Sequence, residues 1–331
     1  MNATQALTSQ TIMLGGTSTM YVSLNNVYIT FPQYEHTTIY RVHIANGTIN
    51  PEAHGEVPGQ ILNQFSMDEY EDHFRVATTT WTNSTNNVYV LNMNMSIVGR
   101  LENLAPGEHI YSARFMGKRG YLVTFVQIDP LFVIDLSDPT KPTVLGELKI
   151  PGYSNYLHPY DENHIIGIGK ETLPSEQGFF AWYQGVKISL FDVSNVSNPI
   201  QMANFTIGDR GTDSPVLYDH KAFLFDKEKN LLVIPVTVAK VPTEKYPGPV
   251  DPSAYGQPVW QGAYVFNITL QQGLVYRGGI THIDNSTGIW DYEHYVQRSL
   301  YIENVLYTVS QAQVKLNDLD DLAFIKTIEI G

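Results

Sequence analysis

Short apolar runs of five to eight residues, separated by polar turns, follow one another along the whole chain. The stretch from Tyr121 to Gly152 holds three of them in succession, YLVTFVQIDPLFVIDLSDPTKPTVLGELKIPG. The runs are rich in Val, Ile, Tyr and Phe and lack a sustained period of 3.6 residues. Between them, Asp and Asn side chains open turns by bonding nearby backbone amides, and proline blocks further strand pairing. The pattern predicts β-strands joined by tight turns, with little helix.

The way a run ends recurs at a regular interval. Gly59, Gly107 and Gly152 close the similar segments HGEVPG, RLENLAPG and GELKIPG, and looser forms end at Gly208, Gly279 and Gly331. The first two intervals, 107 − 59 = 48 and 152 − 107 = 45 residues, match the length of one propeller blade. Each interval has room for four strands, and radial repetition of four-stranded sheets protects their edges.

We therefore predict an all-β fold, a β-propeller domain of four-stranded blades with six blades in this chain. The predicted blades are residues 17–59, 60–107, 108–152, 153–208, 209–279 and 280–331. Residues 1–16 read as a closing or leftover outer strand, from this ring or from a blade further upstream. A pair of β-sandwiches is the rival architecture, but its connections would not repeat one punctuation every 45 to 48 residues.

Composition narrows the function classes. The net charge of −13 repels polyanions, and no Lys/Arg block offsets it, so we expect no nucleic-acid partner. The absence of cysteine excludes disulfides, thiol catalysis and thiolate metal sites. No apolar run reaches the ~18 residues of a membrane span.

Eight N-x-[ST] sequons exceed the roughly three that chance would give. Most lie beside predicted turns, where a glycan stays in solvent. They favour an exported glycoprotein of the cell surface whose leader is missing from this chain; a chance excess from an Asn- and Thr-rich composition is the alternative. The predicted acceptors are Asn2, Asn46, Asn83, Asn94, Asn195, Asn204, Asn267 and Asn285.

Four stretches resemble a family of secreted prokaryotic proteins, common in archaea, with a C-terminal β-propeller domain distantly related to WD-repeat propellers. They are NQFSMDEYEDHFRVATT, IYSARFMGKRGYLVTF, DPLFVIDLSDPTKPTVLGELKIPGYSNYLHPYDENHIIGIG and SPVLYDHKAFLF. The resemblance implies the propeller fold, export, and further sequence before this region. It implies no catalytic residues, since the family has no established activity.

In a propeller the first strand of each blade lines the central channel. Arg114, His158 and Arg298 each lie seven residues before the predicted start of a second strand, at Tyr121, Ile165 and Val305. His220 is expected near the same level. A ring of cations would bind a carboxylate or an acidic sugar; alternatively, these side chains bond neighbouring blades and water and serve only the structure.

Two inserts, KETLPSEQGFFAWYQG and AKVPTEKYPGPVDPSAYGQPVWQG, lie between the second and third strands of adjacent units. They should emerge on one rim, where aromatic side chains stack on sugars or dock proteins. The alternative is that they fold down and cover the propeller. The predicted rim residues are Phe179, Phe180, Trp182, Tyr183 and Trp260.

Metal and catalytic signals are weak. The turn containing Asp68, Glu69 and Asp72 offers oxygen ligands of the kind Ca²⁺ prefers, but lacks the spacing of a calcium loop, so a solvated turn is the simpler interpretation. No H-x-x-x-H pair, Gly-x-Ser-x-Gly elbow or phosphate-binding loop occurs. We predict no catalytic residues and no cofactor other than a possible Ca²⁺.

The leading hypothesis is an extracellular module that binds a cell-surface protein or carbohydrate or acts as a scaffold. The alternatives are a propeller-based enzyme acting on extracellular carbohydrate or peptide, and a structural component of the cell envelope. Turnover would set the first alternative apart, and self-association the second.

Overall fold

The structure is a computed structural model that describes residues 19–45, 47–125, 129–175, 180–245, 248–284 and 288–330. Within these ranges the chain forms six antiparallel four-stranded sheets, each built from strands consecutive in sequence. The prediction of an all-β chain with six four-stranded sheets is confirmed.

The first three sheets use twelve strands. Sheet one contains β1 (Thr19–Val22), β2 (Asn26–Pro32), β3 (His36–Ala45) and β4 (Thr48–Pro58). Sheet two contains β5 (Met67–Tyr70), β6 (His73–Thr80), β7 (Thr85–Asn92) and β8 (Ile97–Leu104). Sheet three contains β9 (His109–Met116), β10 (Arg119–Phe125), β11 (Asp129–Asp135) and β12 (Thr143–Ile150).

The other three sheets use the remaining twelve. Sheet four contains β13 (Tyr153–Asp161), β14 (His164–Pro174), β15 (Ala181–Asp192) and β16 (Ile200–Ile207). Sheet five contains β17 (Leu224–Asp226), β18 (Leu231–Lys240), β19 (Gln257–Thr269) and β20 (Gly273–Ile280). Sheet six contains β21 (Arg298–Ile302), β22 (Val305–Val309), β23 (Gln313–Asp318) and β24 (Phe324–Glu329).

Short 3₁₀ turns supply the only helical structure in the described ranges. They are η1 (Gln64–Ser66), η2 (Pro215–Leu217), η3 (His220–Ala222), η4 (Thr243–Lys245) and η5 (Tyr292–His294). No helix among these residues has the length and apolar character needed to cross a membrane.

The sheets fall into two compact units. Unit one holds sheets one and two and most of sheet three, and unit two holds sheets four to six together with residues 129–130 and 148–150 of sheet three. In both units apolar side chains of consecutive sheets pack against one another. Tyr28 of sheet one stacks on Phe74 of sheet two with ring centroids 4.1 Å apart, and Val265 of sheet five shares a buried cluster with Leu306 of sheet six. Full burial of one such side chain stabilises the fold by about 1.5–3 kcal/mol, so each sheet depends on its neighbours.

The repeated glycines have a backbone role. Gly59, Gly107, Gly152 and Gly208 follow the fourth strands of sheets one to four with φ between +65° and +88°. L-residues with a Cβ disfavour this left-handed region. At Gly59 and Gly152 a Cβ would also approach a backbone oxygen to 2.7 and 2.6 Å. The punctuation that reveals the repeat in the sequence therefore marks the point where the chain leaves one sheet for the next.

Candidate functional site

The predicted channel residues separate between the two units. In unit one Arg114 lies on β9 opposite Tyr121, with its guanidinium 4.8 Å from the centre of the Phe65 ring. In unit two the Nδ1 atom of His158 shares a 2.9 Å hydrogen bond with the Tyr156 hydroxyl. The structure thus gives both cationic positions an aromatic neighbour.

His158 and His220 belong to one aromatic cluster of unit two. His158 lies 4.8 Å from the ring of Phe223, and His220, at the start of η3, lies 6.3 Å from the ring of Tyr156. Aromatic contacts of this kind contribute to packing. The two histidines are therefore brought close together, within a side-chain cluster that also serves the structure.

Arg298 lies farther from its hairpin turn than the other two predicted cations do from theirs. It pairs with Val309, four steps from the hairpin end at Ile302 and Val305, whereas Arg114 lies two steps from its own hairpin end. The equal chain distances were misleading because β10 begins at Arg119, two residues before Tyr121.

Arg298 is also paired with a carboxylate. Its Nη2 atom lies 2.6 Å from Asp219 Oδ2, and both side chains are about half exposed. The backbone amide of Lys221 and then the Arg298 guanidinium hold the pKa of Asp219 below its usual value. The predicted ring of cations therefore has an anion, Asp219, beside Arg298.

The two aromatic inserts meet in unit two. Each lengthens a hairpin beyond its sheet: β14 and β15 continue past a bulge after Lys170, and β18 and β19 continue past a bulge after Val238. The Gln184 side-chain amide donates to the carbonyl of Pro252 at 2.9 Å and joins the inserts. Bulges re-aim side chains beside functional sites, and each of these two lies where its insert begins.

A pocket of about 270 Å³ lies at this junction, which we call the tyrosine pocket. Its wall includes the rings of Tyr153, Tyr183, Tyr218 and Tyr255. Tyr153 and Tyr183 meet edge to face at 5.3 Å, whereas Tyr218 and Tyr255 are 77% and 67% exposed. Exposed rings beside a preformed concavity are suited to stacking on a ligand.

Lys170 and Asp213 supply the charged part of the tyrosine pocket. The Lys170 ammonium lies 3.1 Å from Asp213 Oδ1 and also donates to the carbonyl of Thr212. Burial lowers the pKa of Lys170, and Asp213 opposes that effect. The Tyr218 side chain is largely exposed, but its hydroxyl lies 3.4 Å from Asp213 Oδ2, and partial desolvation followed by the Asp213 charge raises its pKa. Donors and acceptors therefore converge in a partly desolvated place.

The loop beneath the tyrosine pocket is fixed to β18. The amides and carbonyls of Asp213 and Thr237 exchange two hydrogen bonds of 2.8 and 3.0 Å. The Thr212 hydroxyl, which is fully buried, bonds both the amide and the carbonyl of Ala239. The Tyr255 ring lies over Gly211, where a Cβ would come within 2.8 Å of it. These contacts hold the pocket ready before a ligand arrives.

Arg210 lies between the two inserts. Its guanidinium is 4.8 Å from the Trp182 ring centre and 5.5 Å from that of Tyr255, and it donates to the Tyr183 carbonyl at 3.2 Å. No ion pair joins it to a carboxylate within the described ranges. A positive charge stacked between aromatic rings is a suitable partner for an acidic group.

The predicted rim residues have different positions. Trp182 and Phe180 meet edge to face at 4.8 Å and line a smaller pocket with the second insert. Tyr183 lines the tyrosine pocket. Trp260 lies apart from both, with its indole over Gly262 and Gly279 and against Tyr264. Phe179 falls outside the described residues.

Two carboxylates of the acidic turn, Asp68 and Glu69, already bond other side chains of the protein. Asp68 is paired with Arg75, and Glu69 Oε2 accepts hydrogen bonds from Ser23, Asn26 and Tyr28 at 2.6–2.9 Å. Asp72, with φ of +56°, lies in the tight turn between β5 and β6. Within the part of the chain that is described, no group of three or more His, Asp or Glu side chains is placed to hold a metal. The predicted calcium turn thus gains no geometric support.

The sequons divide into three groups. Asn83, Asn94 and Asn195 are exposed in turns. Asn204 is exposed within β16, and Asn267 is half-buried within β19. Asn2, Asn46 and Asn285, like residues 1–16 of the predicted extra strand, lie outside the described residues.

Sequence reasoning missed Lys170, Arg210, Asp213, Tyr218 and Tyr255. One available signal was the single lysine in the apolar strand HIIGIGKETLP, which is a costly residue in a buried strand unless it is paired. Another was GDRGTDSPVLYD, whose turn residues resemble those of a binding loop.

The sequence of this chain is similar to those of two archaeal proteins. It is 36% identical over 305 residues to an uncharacterised protein of Methanocaldococcus jannaschii, covering 90% of this chain and 41% of that protein. It is 34% identical over 283 residues to an uncharacterised protein of Archaeoglobus fulgidus, covering 85% of this chain and 37% of the other. The chain therefore spans about two fifths of the length of these relatives.

A solved structure from Lactobacillus plantarum shares the fold, with a TM-score of 0.53 at 11% identity over 95% of this chain and 86% of that one. The model of the beta propeller domain family matches residues 1–322. With six four-stranded sheets and a match of this extent, the chain belongs to the beta propeller domain family.

Proposed function

We propose that this chain is a binding module of the cell exterior whose tyrosine pocket holds a saccharide. The observation that carries the proposal is the convergence of four tyrosine rings with the Lys170–Asp213 pair in one preformed pocket. Sugar rings have apolar faces and hydroxyl edges, so they use both stacking surfaces and paired charges.

The size and charge of the tyrosine pocket refine the ligand class. A volume of about 270 Å³ is just below the usual range for drug-sized ligands, which suits one sugar ring with its neighbours lying on the surface. Arg210 stands at the edge of the same pocket between two rings. An acidic sugar would place its carboxylate there.

The location outside the cell is part of the same proposal. Three sequons, at Asn83, Asn94 and Asn195, lie in exposed turns that an oligosaccharide could occupy without displacing the core. The net charge of −13 would keep such a surface soluble.

Calorimetric titration with short oligosaccharides of glucose, N-acetylglucosamine and galacturonic acid tests the proposal. We expect saturable binding with a preference for the acidic series. Tyr218→Ala and Tyr255→Ala should each weaken binding by roughly two- to tenfold, the value of one aromatic contact. Tyr34→Ala is the matched control, because Tyr34 is 79% exposed in unit one.

Three results would contradict the proposal. Absence of affinity across the panel would refute the saccharide, and equal losses with Tyr34→Ala would refute the pocket. Release of new reducing ends that Lys170→Met abolishes would establish an enzyme instead. Concentration-dependent self-association without ligand binding would favour an envelope component.

A further inference from the structure

A second pocket, separate from the tyrosine pocket, lies in unit two beside the Asp219–Arg298 pair. Its volume is about 330 Å³. The segment around η2 and η3 forms one wall with Asp219, and the chain from η5 into β21 forms the other with Tyr292, Tyr295 and Arg298. We call it the ion-pair pocket.

The floor of the ion-pair pocket is held by hydrogen bonds. Gln261 is buried, and its side-chain amide exchanges two 2.9 Å hydrogen bonds with the amide and carbonyl of Val296. Val296 itself is fully buried. A ligand therefore meets a preformed floor, and the charged partners for it lie on the walls.

The Asp219–Arg298 pair keeps unused bonding capacity. A guanidinium has five N–H donors and a carboxylate about four acceptor positions. Arg298 gives Nη2 to Asp219, whose other oxygen accepts from the Lys221 amide at 3.0 Å. Both side chains are 44% exposed. One wall of the pocket thus presents a fixed anion directly beside a fixed cation.

An aromatic ring completes the wall. Tyr295 is held in place, because its hydroxyl donates to the Ile289 carbonyl at 2.8 Å. Tyr292 lies 5.0 Å from it, centre to centre, and is 61% exposed. Its ring is therefore supported on one side by Tyr295 and available to a ligand.

We propose that the ion-pair pocket binds a free α-amino acid with an aromatic or apolar side chain, in its zwitterionic form. The ammonium group bonds Asp219, the carboxylate bonds Arg298, and the side chain packs on Tyr292. An α-amino acid carries its ammonium and carboxylate groups on the same carbon atom, so its two charges lie side by side, as those of this ion pair do. Each charge therefore meets its opposite without displacing the ion pair. An exposed ion pair contributes only ~0–1 kcal/mol to stability, so the fold itself has little need of this arrangement.

Titration with L-phenylalanine, phenethylamine and 3-phenylpropanoate tests the proposal, since the two analogues each lack one charge. We expect phenylalanine to bind at least tenfold more tightly than either. Arg298→Gln and Asp219→Asn should each lower that affinity at least tenfold. The asparagine still accepts the bond from the Lys221 amide that caps η3, so the turn is retained.

Two controls keep the outcome clear. Lys227→Gln removes another exposed ion pair of unit two, with Asp161, and should leave phenylalanine binding unchanged. Tyr292→Ala should weaken binding of phenylalanine and not of glycine, which gives a readout even if a charge variant folds poorly.

Binding of either analogue within twofold of phenylalanine would overturn the proposal, as would unchanged affinity in both charge variants or no binding at millimolar concentration. Tyr218→Ala separates this site from the tyrosine pocket, because it should affect saccharide binding alone.

Discussion

His282 should make the stability of unit two depend on pH. Its side chain is 2% exposed, with Nδ1 3.0 Å from Ser310 Oγ and Nε2 2.8 Å from Thr308 Oγ1. Each of these hydroxyls also has a backbone carbonyl as a partner, Gln313 for Ser310 at 3.1 Å and Lys315 for Thr308 at 3.4 Å. Both ring nitrogens therefore bond neutral hydroxyl groups rather than carboxylates, and these bonds give an imidazolium no compensating negative charge.

Burial, then the nearby positive charge of Lys315, then His294, lowers the pKa of His282 from 6.5 to about 4. A difference of this size corresponds to about 3 kcal/mol. Because the folded value lies below the unfolded one, the unfolded chain binds the proton first as the pH falls. The stabilisation is complete above pH 6.5 and is lost progressively between pH 6.5 and about 4.

Urea unfolding of the wild type and of His282→Gln between pH 7.5 and 4 measures this effect. Other titrating groups cancel in the difference between the two free energies of unfolding, since glutamine has no charge to gain. We expect the difference to fall by about 3 kcal/mol across the window. Lys315→Met should reduce that fall, because one of the charges opposing protonation is gone.

A difference that stays constant from pH 7.5 to 4 would refute the reasoning. It would mean that the folded protein accepts the proton as readily as the unfolded chain, and that burial and Lys315 do not disfavour the imidazolium. A fall unaffected by Lys315→Met would remove Lys315 from the causes and leave burial and His294.

Three further predictions concern the fold and its surface. Gly152→Ala should lower the stability in thermal unfolding more than Gly107→Ala does. Both residues have φ of +88°, and the strain of that backbone conformation alone is ~1–2 kcal/mol, but only Gly152 also places a Cβ 2.6 Å from a backbone oxygen. Equal losses of stability in the two variants would contradict the role of that contact. Glu69→Leu should lower the free energy of unfolding by about 1–3 kcal/mol for each hydrogen-bond donor of sheet one that it leaves without an acceptor. Glu69→Gln keeps an acceptor and should cost less. Equal effects of the two substitutions would contradict the hydrogen-bond account. Peptide mass mapping of protein from its native host should find glycans at the exposed Asn83 and Asn94 before the half-buried Asn267, and unmodified peptides at all three would remove the support for export.

The architecture was predictable because its signals are local. A glycine that must adopt positive φ after a fourth strand leaves the same mark at Gly59, Gly107 and Gly152. Asp192 accepts a hydrogen bond from the Ser194 amide at the end of a third strand, which is the turn chemistry that its position implies. Such features need only a few neighbouring residues, so one sequence contains them.

Register was less predictable, as Arg298 shows. Counting along the chain assumes that second strands begin at equivalent points after their turns. β10 begins at Arg119 and β14 at His164, each earlier than the apolar pattern suggests, because polar residues also pair in the first steps of a hairpin. A bulge after Pro159 adds a further displacement near His158. Hydrogen bonding rather than hydrophobicity sets these starts.

The tyrosine pocket was beyond prediction for a different reason. Lys170 and Asp213 come from a strand of sheet four and from the loop that leads to sheet five, and they meet because bonds to β18 fix that loop. The inserts lengthen two hairpins past their bulges and leave the glycine after the fourth strand, Gly208, in its left-handed conformation. The hairpin ends can therefore change in length and side chains while the sheets keep their cores. It follows that the tyrosine pocket can vary among relatives that share this fold, and that its ligand has to be established on this chain.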